Sequence, residues 1–114
     1  DANVVTAKII NKHSNSYDLN IAEMNLTVHS DLDLNKTVSV ALRPEKILIN
    51  RTKSDNSINA TISNASFVGS SYQYILNSSA GKLYVISSDT NNIFKVGEDV
   101  YLNLNVQDVK ILND

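Results

Sequence analysis

The sequence predicts an all-β fold. Apolar and polar residues alternate in short runs along most of the chain, and this period of two is typical of strands with one buried face. No apolar stripe with the helical period of about 3.6 residues lasts long enough for a substantial helix. The turn-forming residues fall beside predicted strand ends, where the chain must reverse; they are Pro44, Gly69, Gly81 and Gly97.

The first half of the chain contains four predicted strands. Their apolar rows are Val5, Ala7 and Ile9; Tyr17, Leu19 and Ile21; Met24, Leu26 and Val28; and Val38, Val40 and Leu42. The two-residue joint Ala22-Glu23 makes the second and third strands a hairpin. Pro44 cannot donate a hydrogen bond to a sheet, so we expect it to end the fourth strand or turn a barrel corner.

The second half repeats this scheme. Its apolar rows are Ile58, Ala60 and Ile62; Tyr72, Tyr74 and Leu76; Leu83 and Val85; and Val100, Leu102, Leu104 and Val106. Gly81 suits a hairpin and Gly97 a turn with positive φ. Gly69 lies inside an apolar stretch, which favours a bulge or a corner.

The two halves are related to each other. Val38-x-Val40-x-Leu42 and Ile47-x-Ile49 recur as Val100-x-Leu102-x-Leu104 and Val109-x-Ile111, at a constant offset of 62 residues (38 to 100, 47 to 109). Ala7-Lys8-Ile9 aligns with Ala60-Thr61-Ile62, and Tyr17-x-Leu19 with Tyr72-x-Tyr74. Each half alone is near the lower size limit for independent folding. We therefore expect one OB-like β-barrel domain over 1–114, with halves 1–50 and 58–114 and a polar connector at 51–57.

Composition excludes several classes of function. The 114 residues carry a net charge of −2, which provides no footprint for nucleic acid or an anionic membrane surface. Cysteine is absent, so a disulfide framework and a thiolate metal site are excluded. No apolar run approaches the length of a membrane span, and no signal peptide is present. The chain opens on Asp1 rather than Met, which suggests a piece of a longer protein.

The residues also argue against chemistry in this chain. With three scattered glycines there is no phosphate-binding loop, so we predict no catalytic and no cofactor-binding residues here. His13 and His29 are the only histidines, and the segment that follows His29 departs from a calcium loop because Lys36 stands where glycine is required. We therefore predict no metal site. A Ser-His-Asp hydrolase has no better support, since Ser30, His29 and Asp31 are merely neighbours in sequence.

Three further features each have two interpretations. Arg43 and Glu45 flank Pro44, and they either hold an interface contact or form a local ion pair that staples a barrel corner. The aromatic residues around Phe67 and Tyr72 lack interleaved Arg or Lys, so nucleic-acid binding is not expected. The cluster Glu98, Asp99 and Tyr101 could hold a polyamine cation, but a solvated turn explains it more simply.

Three short motifs occur in a fixed order: Leu42-Arg43-Pro44-Glu45, Phe67-Val68-Gly69-Ser70 and Gly97-Glu98-Asp99-Val100. Together, over residues 3–112, they resemble the C-terminal TOBE domain of ATP-binding subunits of ABC importers. The sequence of residues 67–74 looks most like that of the spermidine/putrescine branch of these importers. The resemblance marks seven candidate regulatory, interface or structural-corner residues: Arg43, Pro44, Glu45, Phe67, Gly69, Tyr72 and Gly97.

The resemblance implies a function that the residues alone do not. It implies a regulatory and dimerisation domain that follows an ATPase domain absent from this chain, with ATP and Mg²⁺ bound in that parent ATPase. The implied partners are the ATPase domain, a second copy of the subunit and the transmembrane permease subunits. The implied location is cytoplasmic, on the inner face of the bacterial plasma membrane. Two alternatives remain: a stand-alone OB-fold module that binds a small ligand or oligonucleotide, and a structural β-domain of a surface protein.

Overall fold

The computed structural model describes residues 2–112, and they form an almost purely β structure. Two single 3₁₀ turns, Pro44–Lys46 and Val106–Asp108, are the helical elements of this part of the chain. The ten strands are β1 (Asn3–Lys12), β2 (Ser16–Ile21), β3 (Met24–His29), β4 (Thr37–Leu42), β5 (Leu48–Asn50), β6 (Ile58–Phe67), β7 (Tyr72–Ser78), β8 (Gly81–Ser87), β9 (Asp99–Asn103) and β10 (Val109–Leu112). The predicted all-β, OB-like fold is confirmed.

The strands form two curled five-stranded sheets, which we call the first and second barrels. The first has the order β10-β4-β1-β2-β3 and the second β5-β9-β6-β7-β8, with antiparallel pairing throughout. Two strands cross between the halves of the sequence. After the turn at Pro44, β5 leaves the first half and pairs with β9. After the turn at Val106–Asp108, β10 returns and pairs with β4.

The pairing registers demonstrate the internal repeat. Ala7 pairs with Val38 in the first barrel, and Ala60 pairs with Val100 in the second. These pairs match the predicted offsets between the halves. One predicted alignment is wrong, because Tyr17 corresponds to Tyr74 rather than to Tyr72. Tyr17 pairs with Val28 and Tyr74 with Val85. The equivalent register pairs are Ile9 with Leu19 and Ile62 with Leu76, so the β6–β7 hairpin is four residues longer (14 against 10 positions) in its two strands.

The two equivalent tyrosines fix equivalent loops. Tyr17 is 1 % exposed, and its hydroxyl donates to the Leu32 carbonyl at 2.7 Å and accepts the Leu34 amide at 3.1 Å. The fully buried Tyr74 accepts the Phe94 amide at 3.1 Å. A buried amide must find an acceptor. Each phenol therefore ties the loop before β4 or β9 to its barrel core.

Irregularities in the first strand of each half are also equivalent. The ladder shifts register between Ile9 and Asn11 in β1 and between Ile62 and Asn64 in β6, as at a β-bulge. The Ile9 amide donates to the Lys36 carbonyl at 2.8 Å, and the Ile62 amide donates to the Glu98 carbonyl at 3.0 Å. The loop that precedes the fourth strand of each half thus supplies the hydrogen bond.

Two asparagine side chains bind distant parts of the chain, Asn3 joining the two halves and Asn56 joining the connector to the first half. The Asn3 carboxamide accepts the Tyr84 amide and donates to the Tyr84 carbonyl, both at 2.8 Å. The Asn56 carboxamide makes the same two bonds to the main chain of Asn25. Each side chain therefore imitates one residue of a neighbouring strand, on β8 and on β3 respectively. Since β3 and β8 are the sheet edges, these clamps cover part of each edge.

Candidate regulatory and interface site

The predicted corner lies where the chain passes from one barrel to the other. Pro44 is buried at the start of a 3₁₀ turn that directly follows β4, as its missing amide hydrogen allows. Arg43 is extended (φ −71°, ψ 133°), which suits a residue that precedes proline. The corner therefore ends β4 and directs β5 into the second sheet, as predicted.

The local ion pair considered for this corner does not form. Among residues 2–112 the salt bridges are Lys12–Asp33, His13–Asp18 and Arg51–Glu98. Arg43 and Glu45 instead line different clefts: Arg43 the one at the edge of the first barrel, Glu45 the one at the edge of the second. The turn separates the two charges because a 3₁₀ turn advances by a third of a revolution per residue.

The second motif forms an exposed hairpin tip. Phe67 is 54 % exposed and Val68 46 % exposed, at the end of β6 and the start of the loop to β7. Gly69 has φ +83° in the turn between β6 and β7, so of the two predicted alternatives it occupies the corner. Tyr72 is half-buried at the start of β7.

The tip is connected to the core by an aromatic chain. The Phe67 and Tyr72 ring centroids are 5.1 Å apart, those of Tyr72 and Tyr74 5.9 Å, and those of Tyr74 and Phe94 5.7 Å. The Arg51 guanidinium lies 4.4 Å from the Phe94 ring centroid. Such spacings are those of attractive ring–ring and cation–π contacts. The exposed Phe67 therefore rests on a continuous packed column.

The third motif contacts Arg51 at the end of this aromatic column, through Glu98. Gly97 has φ +90°, as predicted, and its amide donates to the Ile62 carbonyl at 2.8 Å. Glu98 pairs with Arg51 at 2.6 Å and also accepts the Lys95 amide at 3.0 Å. Glu98 is thus already paired, which favours the structural turn over the polyamine alternative.

Arg51 is the site residue that sequence reasoning missed. It was assigned to a polar connector, yet it bonds Glu98, the Asn92 side chain and the Ile93 carbonyl. These partners lie more than forty residues away in sequence. No periodic or spacing signal marks such a residue, because its role depends on the return of a distant loop.

Hydrogen bonds lower the pKa of two carboxyl groups, Asp18 and Glu23. The Thr27 hydroxyl at 2.6 Å, and then His13 at 3.0 Å, hold the pKa of the Asp18 carboxyl below its ordinary value. Hydrogen bonds from Ser79 and from the Asn59 amide lower the pKa of Glu23. Glu23 lies on the β2–β3 turn and Asn59 on β6, so this carboxylate also bridges the halves.

Within residues 2–112 no group of three or more His, Asp or Glu side chains is arranged to hold a metal ion. No helix in the same residues is long and apolar enough to cross a membrane.

Two curled antiparallel sheets with a corner after the fourth strand define the class of OB-like β-barrel domains. Within that class, the TOBE domain family matches residues 40–112, which is more than half of the chain. The chain belongs to the TOBE domain family. The matched residues include all three motifs.

Among solved structures, the chain is similar to the cytoplasmic molybdate-binding protein ModG, in a PEG-grown crystal form with molybdate bound. The TM-score is 0.74 at 11 % sequence identity, over 96 % of this chain and 94 % of that chain. At this identity the similarity demonstrates the fold. No curated protein matches the chain at a significant level.

Proposed function

We propose that the chain is the C-terminal regulatory and dimerisation domain of the ATP-binding subunit of a bacterial ABC importer. The observation that carries the proposal is the ordered set of three motifs inside the region that matches the TOBE family. In the structure these motifs are linked through side-chain contacts. Glu45 and Phe94 line the same cleft, and Phe94 is joined to Phe67 through the aromatic column and to Glu98 through Arg51.

In this role the domain performs no phosphate chemistry. ATP and Mg²⁺ are bound by the preceding ATPase domain of the parent subunit, and the permease subunits carry the solute through the membrane. The present domain holds two subunits together on the cytoplasmic face of the membrane. Its contribution is binding energy between copies, which keeps the two ATPase domains close enough to meet.

The hairpin tip is the surface best suited to this contact. Phe67 and Val68 are about half exposed, and they are held in place by the packed column behind them. Burying two such side chains against a symmetric partner contributes about 2–4 kcal/mol from apolar area. An interface that buries only this small apolar area gives dissociation constants in the micromolar range or weaker for the isolated domain.

Sedimentation velocity tests the dimer. The chain is compared with a longer subunit that carries the ATPase domain, with ATP bound and hydrolysis blocked. We expect weak dimerisation of the chain and strong dimerisation of the longer subunit. Phe67→Ser should weaken both at least tenfold, while Ile10→Ser, a matched change at a residue 51 % exposed on β1, should leave them unchanged. A fully monomeric longer subunit would end the proposal.

The assignment of the solute class rests on the sequence of residues 67–74, which resembles that of the polyamine branch. Uptake of labelled putrescine into proteoliposomes that contain the assembled importer tests it. We expect uptake that depends on ATP and competes with spermidine. Uptake of a sugar or of ferric iron, with none of putrescine, would move the chain to another branch of importers while leaving the dimerisation role intact.

A second candidate function is a stand-alone ligand-binding module. The observation in its favour is the similarity to ModG over nearly the full length of both chains. Calorimetric titration of the chain with molybdate distinguishes the candidates. Submicromolar binding would favour the stand-alone module, whereas no heat at millimolar molybdate would favour the importer domain.

A further inference from the structure

Each barrel has a cleft where its curled sheet remains open. The first cleft lies between the edge strand β3 and the crossing strand β10, and it encloses about 740 Å³. The second cleft lies in the equivalent place, between β8 and β5, and encloses about 400 Å³. Because the two halves share one plan, the second cleft serves as an internal reference for the first.

The second cleft is partly filled by the protein itself, which leaves it the smaller volume of the two. The loop before β9 spans residues 88–98, eleven residues, while the equivalent loop before β4 spans 30–36, seven residues. The longer loop places Phe94, 3 % exposed, beside Ile47, 4 % exposed, at the mouth of the second barrel. The Arg51 guanidinium stacks on the Phe94 ring and pairs with the Glu98 carboxylate.

The first cleft has the same apolar floor without that filling. Its floor includes the buried Val28 and the half-buried Val109 and Ile111, whereas the short loop contributes only Ser30 and Leu32 to the lining. An unfilled apolar cleft of this volume lies within the range of small-molecule sites, roughly 300–1,000 Å³.

Two basic side chains border this floor. Arg43 and Lys110 line the first cleft, with His29 on the opposite strand, and Asp108 is the one acidic residue of the lining. Neither Arg43 nor Lys110 forms a side-chain hydrogen bond or ion pair with any other residue in 2–112. In a protein with a net charge of −2, this is a local excess of unpaired positive charge beside apolar surface.

We propose that the first cleft binds a small aromatic or aliphatic carboxylate. The apolar body lies on the floor formed by Val28, Val109 and Ile111, and the carboxylate is held by the Arg43 guanidinium, with Lys110 adding charge. Beside the second cleft the protein itself brings together the same three chemical groups: the ring of Phe94, which lines that cleft, the guanidinium of Arg51 and the carboxylate of Glu98. The site is separate from the dimer tip and does not depend on the proposed function.

Amide NMR of the ¹⁵N-labelled chain tests the proposal, with 4-phenylbutyrate as the probe. Two reference titrations use 4-phenylbutylamine, of the same body and opposite charge, and sulfate, an anion without an apolar body. We expect millimolar binding of the acid alone, with shifts confined to the end of β3, the 43–45 corner and β10. Equal shifts with the amine, equal shifts with sulfate, or shifts that map elsewhere would overturn the proposal.

Variants separate the contribution of the positive charges from that of the apolar floor. Arg43→Gln with Lys110→Gln should weaken binding of the acid at least tenfold, and the matched pair Lys8→Gln with Lys82→Gln, exposed lysines on β1 and β8, should not. Leu32→Trp keeps the charges but covers the floor, and it should also abolish binding. All these positions are exposed, so a folded spectrum is expected for each variant. Unchanged affinity in both the charge variant and the tryptophan variant would refute the site.

Discussion

Replacing Asn3 by alanine should loosen the first half from the second. The Asn3 side chain makes three hydrogen bonds, to the amide and carbonyl of Tyr84, each at 2.8 Å, and to the Leu42 carbonyl at 3.2 Å. A typical hydrogen bond contributes about 0.5–1.5 kcal/mol net. Both Asn3 and Tyr84 are half-buried, so water compensates only in part. We expect Asn3→Ala to lower the free energy of unfolding by about 2–3 kcal/mol.

Asn3→Asp provides a sharper version of the same test. An ionised carboxylate can still accept the Tyr84 amide, but its second oxygen then faces the carbonyls of Tyr84 and Leu42, to which the asparagine donates. At neutral pH this variant should be at least as unstable as Asn3→Ala. Protonation restores a donor, so the pKa of the introduced carboxyl is raised in the folded state. The variant should therefore recover stability, relative to the wild type, as the pH is lowered through that raised pKa.

Urea unfolding followed by far-ultraviolet circular dichroism measures both changes. Asn77→Ala is the matched control, because the Asn77 side chain is exposed on β7, and its effect should stay within about 0.5 kcal/mol. A loss below about 0.5 kcal/mol for Asn3→Ala, or an Asn3→Asp variant as stable as the wild type at pH 7, would refute the clamp.

Three further changes test other contacts. Tyr17→Phe should cost about 1–3 kcal/mol in urea unfolding, because it leaves the part-buried Leu34 amide and Leu32 carbonyl without their partner; a loss below about 0.5 kcal/mol, the smallest net contribution of a typical hydrogen bond, would contradict it. Gly69→Val should cost about 1–3 kcal/mol through strain at φ +83°, since the space around a Cβ is open, while Gly69→Asn should be tolerated; equal midpoints for valine and glycine would count against that geometry. The lowered pKa of Glu23 adds stability that is present above its ordinary value of 4.5 and is lost as the pH falls through the lower folded value; Glu23→Gln should flatten stability against pH in that window, and an unchanged slope would show that the bonds from Ser79 and Asn59 add nothing.

The class of the fold and the placement of most strands follow from the pattern of the sequence. Alternation such as Val38-x-Val40-x-Leu42 leads directly to the buried row of β4, because a strand exposes its side chains to two faces in turn. The repeat of this pattern at Val100 predicted the internal duplication, and Pro44 predicted the corner. Each of these signals is local, and local geometry decides it.

Contacts between residues that are distant in sequence follow only from the three-dimensional path of the chain. The equivalence of Tyr17 and Tyr74 depends on the longer strands of the β6–β7 hairpin, and the separation of Arg43 from Glu45 depends on the turn between them. The contacts of Arg51 and the clamp of Asn3 join residues 41 to 81 positions apart. Asparagine and arginine in polar segments carry no periodic signal, because their partners are chosen by the path of the chain. Alternation within a strand is set by local backbone geometry. Contacts between the two barrels, in contrast, form only when distant loops come together.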